Sequence, residues 1–289
     1  MLKSLIAAAF GAALIVSPAA AETAQINGLE MYYEVHGDGP PLVLLHGAYM
    51  TIDTNWDALI PTLAEIHKII AVELQAHGHT SDRDTPITYE GMSEDVAALL
   101  DHLEIDKAAV FGYSMGASVG IRLAMDHPEK VERLIVASGG INYDAYPDGF
   151  YEMIETITPE MMAGSPFDEE YKRLSPNPDG FPTLVEKLKA LDLDRFAWDE
   201  EAFAAIDVPT LLVFGDADVI EIDHITKLFT LLGGHSNGDM QGLPLVQLAV
   251  LPGTSHIKVI FNPANIEYLK AMVPVFLAQE LPAPPQMTF

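Results

Sequence analysis

The residues Gly112-Tyr113-Ser114-Met115-Gly116 follow the apolar run Ala108-Ala109-Val110-Phe111 and precede a helical pattern, and this pentapeptide has the spacing of a nucleophile elbow. A strand that bends sharply into a helix with a serine at the bend leaves no room for side chains two positions away, which explains glycine at both flanks, Gly112 and Gly116. A serine hydroxyl is a weak nucleophile until a base takes its proton, so Ser114 demands a histidine and an orienting carboxylate. Both occur downstream. The apolar run 208–214 leads into Gly215-Asp216-Ala217-Asp218, and the run 246–251 leads into Pro252-Gly253-Thr254-Ser255-His256. Each run reads as a buried strand, and catalytic groups of parallel sheets gather beyond the carboxyl ends of strands. His256 is the candidate base. Among the ten histidines, His224 and His235 also lie downstream, but neither follows a strand directly. Asp216 and Asp218 both qualify as the acid.

The elements that would carry these residues alternate. Ile26 to Val35 reads as a hairpin turning at Asn27-Gly28, and the apolar run Leu42 to Leu45 reads as a buried strand. Helical patterns at Trp56 to Ile66, Ser93 to Leu103, Met115 to His127 and Pro263 to Leu277 separate strands starting near Ile69, Ala108, Leu134, Thr210 and Leu248. Such alternation predicts an α/β fold with a doubly wound, mainly parallel sheet covered on both faces. The stretch between Ala137 and Val208 has no sheet rhythm and is far longer than an ordinary connection. It predicts a helical cap, 141–206, inserted into a core formed by 22–140 and 207–280, with 281–289 as a loose Pro-rich tail. The cap's many aromatic and Met side chains predict packing plus an apolar pocket.

The arrangement resembles the α/β-hydrolase superfamily, in its serine esterase and cofactor-free haloperoxidase-like branch, over nearly the whole chain after residue 21. The resemblance implies Ser114, Asp218 and His256 as the triad, since the family habitually uses the fourth position of the Gly-Asp-Ala-Asp turn. The pair His46-Gly47 after the strand at 42–45 strengthens it. In the family such a pair opens a loop whose backbone N–H, here that of Ala48, forms the oxyanion hole with the N–H after the nucleophile, here that of Met115. Each such donor contributes a factor of about 100 to 1000 in rate and needs no particular side chain. His46 is read as an organiser of this loop. One segment departs from the pattern: many relatives carry an arginine where this chain reads Gln75-Ala76-His77-Gly78-His79-Thr80-Ser81. A His-x-His pair can chelate a metal, but no further ligand with suitable spacing lies nearby, so a turn of hydrogen-bonded histidines is expected and no metal.

Composition bounds the setting. Met1 and Lys3, the apolar core Leu5 to Val16 and the small residues Ala19-Ala20-Ala21 read as a signal peptide, 1–21, cleaved after Ala21, which predicts export to a bacterial periplasm or the medium without stable membrane anchoring. Ordered structure is expected from Gln25 onward. With no cysteine there is no disulfide or thiol nucleophile, and about 268 residues suffice for one core. Forty-two acidic against fifteen basic residues give a formal net charge of -27, which excludes nucleic acid as a partner and disfavours polyanionic substrates. The resulting expectation is a cofactor-free serine hydrolase acting on carboxylic esters or lactones of small, largely apolar molecules. Perhydrolase, amidase and C–C hydrolase chemistry use the same triad, and a receptor that keeps the fold without turnover is the reading from another class. A serine at the elbow argues against the dehalogenase and epoxide-hydrolase relatives, which use aspartate there.

Overall fold

The computed structural model describes residues 20–284. Eight strands form one sheet in the order β1-β2-β4-β3-β5-β6-β7-β8: β1 Ala20–Ile26, β2 Leu29–His36, β3 Pro41–Leu45, β4 Lys68–Val72, β5 Ala108–Tyr113, β6 Val131–Ala137, β7 Thr210–Ala217 and β8 Val246–Ser255. The hairpin β1-β2 turns at Asn27 and Gly28, both at positive φ, and is antiparallel. β2 joins β4 antiparallel, and every pairing from β4 through β3 to β8 is parallel.

Parallel strands buried on both faces read as unbroken apolar runs because alternate side chains enter different cores. Leu42, Leu44, Ile69, Ala109, Phe111 and Ile135 join one cluster, while Val43, Leu45, Ile70, Val110, Leu134 and Val136 join the other. Helices Tyr89–His102 and Met115–Asp126 supply buried residues to the second cluster, and helix Pro263–Ala278 to the first. Thr88 caps the first of these, its hydroxyl accepting from the Gly91 N–H at 2.9 Å.

Three expectations need correction. The single helix at 56–66 is two short ones, Ile52–Trp56 and Ile60–Leu63, because Pro61 lacks an N–H to continue a helix and instead opens the second. Residues ahead of Gln25 already belong to β1, with Ala20 paired to Val35 and Ala21 to Glu34. The tail is tied down where it starts: the Leu243 N–H donates to the Ala283 carbonyl at 2.9 Å and the Ala283 N–H returns the bond at 3.0 Å. Residues 1–19 of the expected leader and 285–289 of the expected tail lie outside the described residues.

Between β6 and β7 the chain forms five α-helices: Phe150–Thr156, Pro159–Met162, Pro166–Leu174, Phe181–Leu193 and Glu200–Ala204. The two ends of this insertion are stitched together, the Tyr143 N–H donating to the Phe196 carbonyl at 2.8 Å and the Trp198 N–H to the Ile141 carbonyl at 3.0 Å. Lys187 Nζ binds Asp82 Oδ2 at 2.6 Å, which anchors the insertion to the loop beyond β4.

Candidate active site

Ser114 sits between β5 and helix Met115–Asp126 at φ 54, ψ -119, a strained conformation for a non-glycine residue. The bend presses the flanks together. A Cβ on Gly112 would stand 2.2 Å from the Gly116 carbonyl oxygen, and one on Gly116 would stand 2.2 Å from that of Leu45. Both contacts are with backbone, so neither flank tolerates a side chain. The Ser114 N–H donates to the Ala137 carbonyl at 2.8 Å and fixes the bend against the end of β6.

His256 follows β8 and reaches Ser114: its Nε2 is 2.9 Å from Ser114 Oγ, and its Nδ1 is 2.7 Å from Asp218 Oδ1. A carboxylate only accepts, so Nδ1 carries the proton and Nε2 is left to accept from the serine hydroxyl. Asp218 has a fully buried side chain, yet its second oxygen accepts from Ser138 Oγ at 2.6 Å and the Gly215 N–H at 3.1 Å. Burial raises its pKa, but the hydrogen bond and charge of His256, with those of Ser138 and Gly215, outweigh it and hold the carboxyl below its ordinary value. Asp216 is thereby separated from Asp218. It accepts from the Thr254 N–H at 2.9 Å and braces the loop leading to His256 from outside. His224 pairs with Asp144, at 3.5 Å, and His235 with Thr230, at 2.9 Å, so neither serves Ser114.

The loop after β3 is held at successive amides. The Gly47 N–H donates to Asn55 Oδ1 at 2.9 Å, the Tyr49 N–H to His77 Nε2 at 3.1 Å, and the Met50 N–H to the Gly47 carbonyl at 3.2 Å. The N–H groups of Ala48 and Met115 have no acceptor among the described residues. His46 is buried and braces the loop, donating from Nδ1 to the Gly47 carbonyl at 2.8 Å and accepting from the Leu74 N–H at 3.0 Å. Burial, with the neighbouring His77, lowers its pKa to about 3; burial lowers that of His77 to about 4. Both rings are therefore neutral and can accept. In the His-x-His turn, His77 uses both nitrogens within the protein, the other donating to the Gln75 carbonyl at 2.9 Å, and His79 Nδ1 meets Glu73 at 3.0 Å. Glu73 fills the space above Gly78, where a Cβ would lie 2.3 Å from its carboxyl.

The sequence assigns no positioning role to three residues that hold the site. Asn55 holds the oxyanion-type loop, Ser138 holds Asp218, and Tyr113 donates its hydroxyl to the His256 carbonyl at 3.0 Å. The only signal for Ser138 was its place just past β6, at the same edge as the other site residues. The insertion closes over this edge, with the Phe167 and Phe181 rings 5.9 and 6.4 Å from that of Tyr49.

The family model described as the alpha/beta hydrolase fold matches residues 40–179. This stretch holds the His-Gly loop and the elbow. The chain belongs to the α/β-hydrolase superfamily. It is 40% identical over 113 residues to a soluble epoxide hydrolase of Corynebacterium sp., covering 39% of each chain. It is also 37% identical over 228 residues to the dihydrolipoyllysine-residue acetyltransferase component of an acetoin cleaving system from Pseudomonas putida, covering 72% of this chain and 60% of that one. The matches thus span less than two thirds of either relative. Among α/β-hydrolases of known structure, 2-hydroxy-6-oxo-6-phenylhexa-2,4-dienoate hydrolase from Rhodococcus sp. superposes with a TM-score of 0.70 at 21% identity, covering 91% of this chain and 100% of that one. That likeness is one of fold.

Proposed function

We propose that this α/β-hydrolase cleaves carboxylic ester or lactone bonds of small, largely apolar substrates through an acyl-enzyme on Ser114. The observation that carries the reading is the continuous relay from Ser114 Oγ through His256 to Asp218, at 2.9 and 2.7 Å. Ser114 Oγ attacks the carbonyl carbon as its proton passes to His256 Nε2. The Ala48 and Met115 N–H groups, free of other acceptors, stabilise the oxyanion. His256 then protonates the departing alkoxide, and water, deprotonated by the same nitrogen, releases the acid and restores the serine. The residues described require no cofactor for these steps.

The test is exposure of the purified protein to a serine-directed fluorophosphonate, with the adduct located by peptide mass spectrometry and Ser114→Ala run alongside. Labelling confined to Ser114 is the expected result. Absence of labelling in folded protein would replace this reading by that of a small-ligand receptor. We further infer that the chain is exported and loses residues 1–21; this would trim the exposed first two residues of β1, and N-terminal sequencing of exported protein checks it.

A further inference from the structure

Helix Pro263–Ala278 is apolar on its buried and on its exposed face. Ile266, Leu269, Val273, Phe276 and Leu277 pack it on the core, and its only charges, Glu267 and Lys270, pair with each other at 2.9 Å. A helix packed along one side ordinarily turns a charged face to water. This one exposes Ala264, Tyr268, Ala271, Val275 and Ala278, with Tyr268 53% and Val275 65% accessible. Just ahead of it, the short helix Lys258–Phe261 leaves Phe261 and the preceding Ile257 exposed as well. Four of the eleven exposed large apolar side chains among the described residues thus fall within 257–278, and such a concentration marks an interaction surface.

The exposed residues of helix Pro263–Ala278 recur at intervals of four, three, four and three, which is the seam along which one helix packs lengthwise on another. Small and large side chains alternate along it. About a two-fold axis midway between Tyr268 and Ala271, an antiparallel second copy sets Tyr268 of each chain against Ala271 of the other, and Ala264 against Val275. Every such layer joins a large side chain to a small one, so the seam is complementary to itself. Charge favours the same occupant. The chain carries a formal net charge of -27, whereas 257–278 holds two lysines and one glutamate, so two copies can approach at this face without bringing acidic surfaces together. A lipid surface fits less well, since helices that lie on membranes rim their apolar face with cations, and here Lys270 is neutralised by Glu267.

We propose that the protein forms a two-fold dimer through the exposed seam of helix Pro263–Ala278, the partner being a second copy of this chain. The dimer removes from water apolar side chains that the monomer leaves exposed, and contact along such a seam needs no charged residue. Elsewhere the two copies repel each other, so the dimer dissociates on dilution and tightens as salt screens the repulsion. Association of this kind does not depend on the reaction at Ser114.

Sedimentation equilibrium of the purified protein, from about 1 to 100 µM, tests this. Wild type is expected to reach twice the monomer mass, with a Kd that falls as NaCl rises from about 0.05 to 0.5 M. Ala271→Glu sets two like charges beside the axis, at an exposed position where glutamate suits a helix; it is expected to keep the fold and to raise Kd at least about 100-fold. Because the chain has no cysteine, a second variant reads the register directly. Ala264→Cys combined with Val275→Cys is expected to close into a disulfide-linked dimer on mild oxidation, while either substitution alone is not, its two sulfurs lying about 16 Å apart along the seam. A wild type that stays monomeric at the highest concentration, a dimer unmoved by Ala271→Glu, or single variants that link as readily as the double one overturns the proposal. Flotation with phosphatidylcholine vesicles is run alongside: wild-type monomer that floats gives the face to a lipid surface, which also overturns the second copy.

Discussion

Lowering the pH from 7 to 5 is predicted to weaken this fold through histidines kept neutral by burial, and the magnitude can be worked from the surroundings of the three most depressed, with His67, also lowered by burial, acting in the same sense. Burial first, and then the neighbouring His77, lowers His46 to about 3; burial lowers His77 and His224 to about 4; all three start from 6.5. The folded-state values are depressed, so the unfolded chain takes up protons that the folded chain refuses, and stability falls as pH drops from about 6.5 toward 4. Each histidine then contributes a loss of about 2 kcal/mol between pH 7 and 5, together about 5 to 6 kcal/mol. Asp192 works in the opposite sense. Its value is raised by burial from 3.8 to about 7, so the folded chain gains a proton first, which returns about 2 kcal/mol over the same interval. His79, raised by its hydrogen bond to Glu73, acts in the same sense as Asp192. The net loss is about 3 kcal/mol, and removing the Asp192 titration with Asp192→Asn steepens it to about 5 to 6 kcal/mol. Urea unfolding at pH 7, 6 and 5, with m-values held in common, reads both slopes. A pH-independent midpoint, or an Asp192→Asn slope no steeper than wild type, refutes the reasoning.

Other substitutions separate the roles at the site. Asp218→Asn is expected to lower kcat about 10,000-fold by reversing the His256 tautomer, whereas Asp216→Asn, whose amide oxygen still accepts from Thr254, stays within about 3-fold on the same ester assay. His77→Leu leaves the Tyr49 N–H unpaired, which is expected to lower stability by about 1 to 3 kcal/mol and kcat by about 10- to 100-fold; equal rates would show that the loop holds its shape without it. Gly116→Ala drives a methyl into the Leu45 carbonyl and is expected to destabilise by about 1 to 3 kcal/mol in denaturant titration. Ser114→Gly and Ser114→Ala both lose the bond to His256, but only glycine relaxes at φ 54, so Ser114→Gly is expected to be the more stable by about 1 kcal/mol despite its greater unfolded-chain entropy.

Much of this was legible in the sequence because the constraint was local. The strands β3 and β5 and the run 134–137 of β6 are buried and so had to be apolar without interruption, and Gly112 and Gly116 are dictated by contacts across a single bend. The choice between Asp216 and Asp218 was not legible, since spacing along the turn is nearly the same; burial and the approach of His256 decide it in favour of Asp218. Asn55, Ser138 and Tyr113 are ordinary polar residues in sequence. Ser138 meets a partner 80 positions away and Tyr113 one 143 away, and no periodic pattern reports such contacts. The small residues Ala20 and Ala21 satisfied a cleavage-site pattern and also pair as strand, since an exposed edge position places little demand on side chains.

The backbone itself explains why the site occupies this edge of the sheet. Tyr49, Ala76, Ser114 and Ser138 are non-glycine residues at positive φ, and they follow β3, β4, β5 and β6 in turn. A parallel strand ends with its groups pointing along the chain, and a left-handed residue turns the next peptide across the strand ends. At Tyr49 that reversal hands its N–H to His77 and leaves the preceding amide, Ala48, without an acceptor. At Ser114 it lifts Oγ toward His256, and at Ser138 it aims a hydroxyl at Asp218. Each such residue is strained by about 1 to 3 kcal/mol, which persists only where surrounding contacts fix the conformation. Here the fixing contacts are the Ser114 N–H to Ala137 and the Ser138 N–H to Val213, each bond made to the next strand. The neighbouring strands therefore hold one another's bends, so the triad and the oxyanion-type loop behave as a single rigid piece, and variation in what the protein accepts is left to the insertion above it.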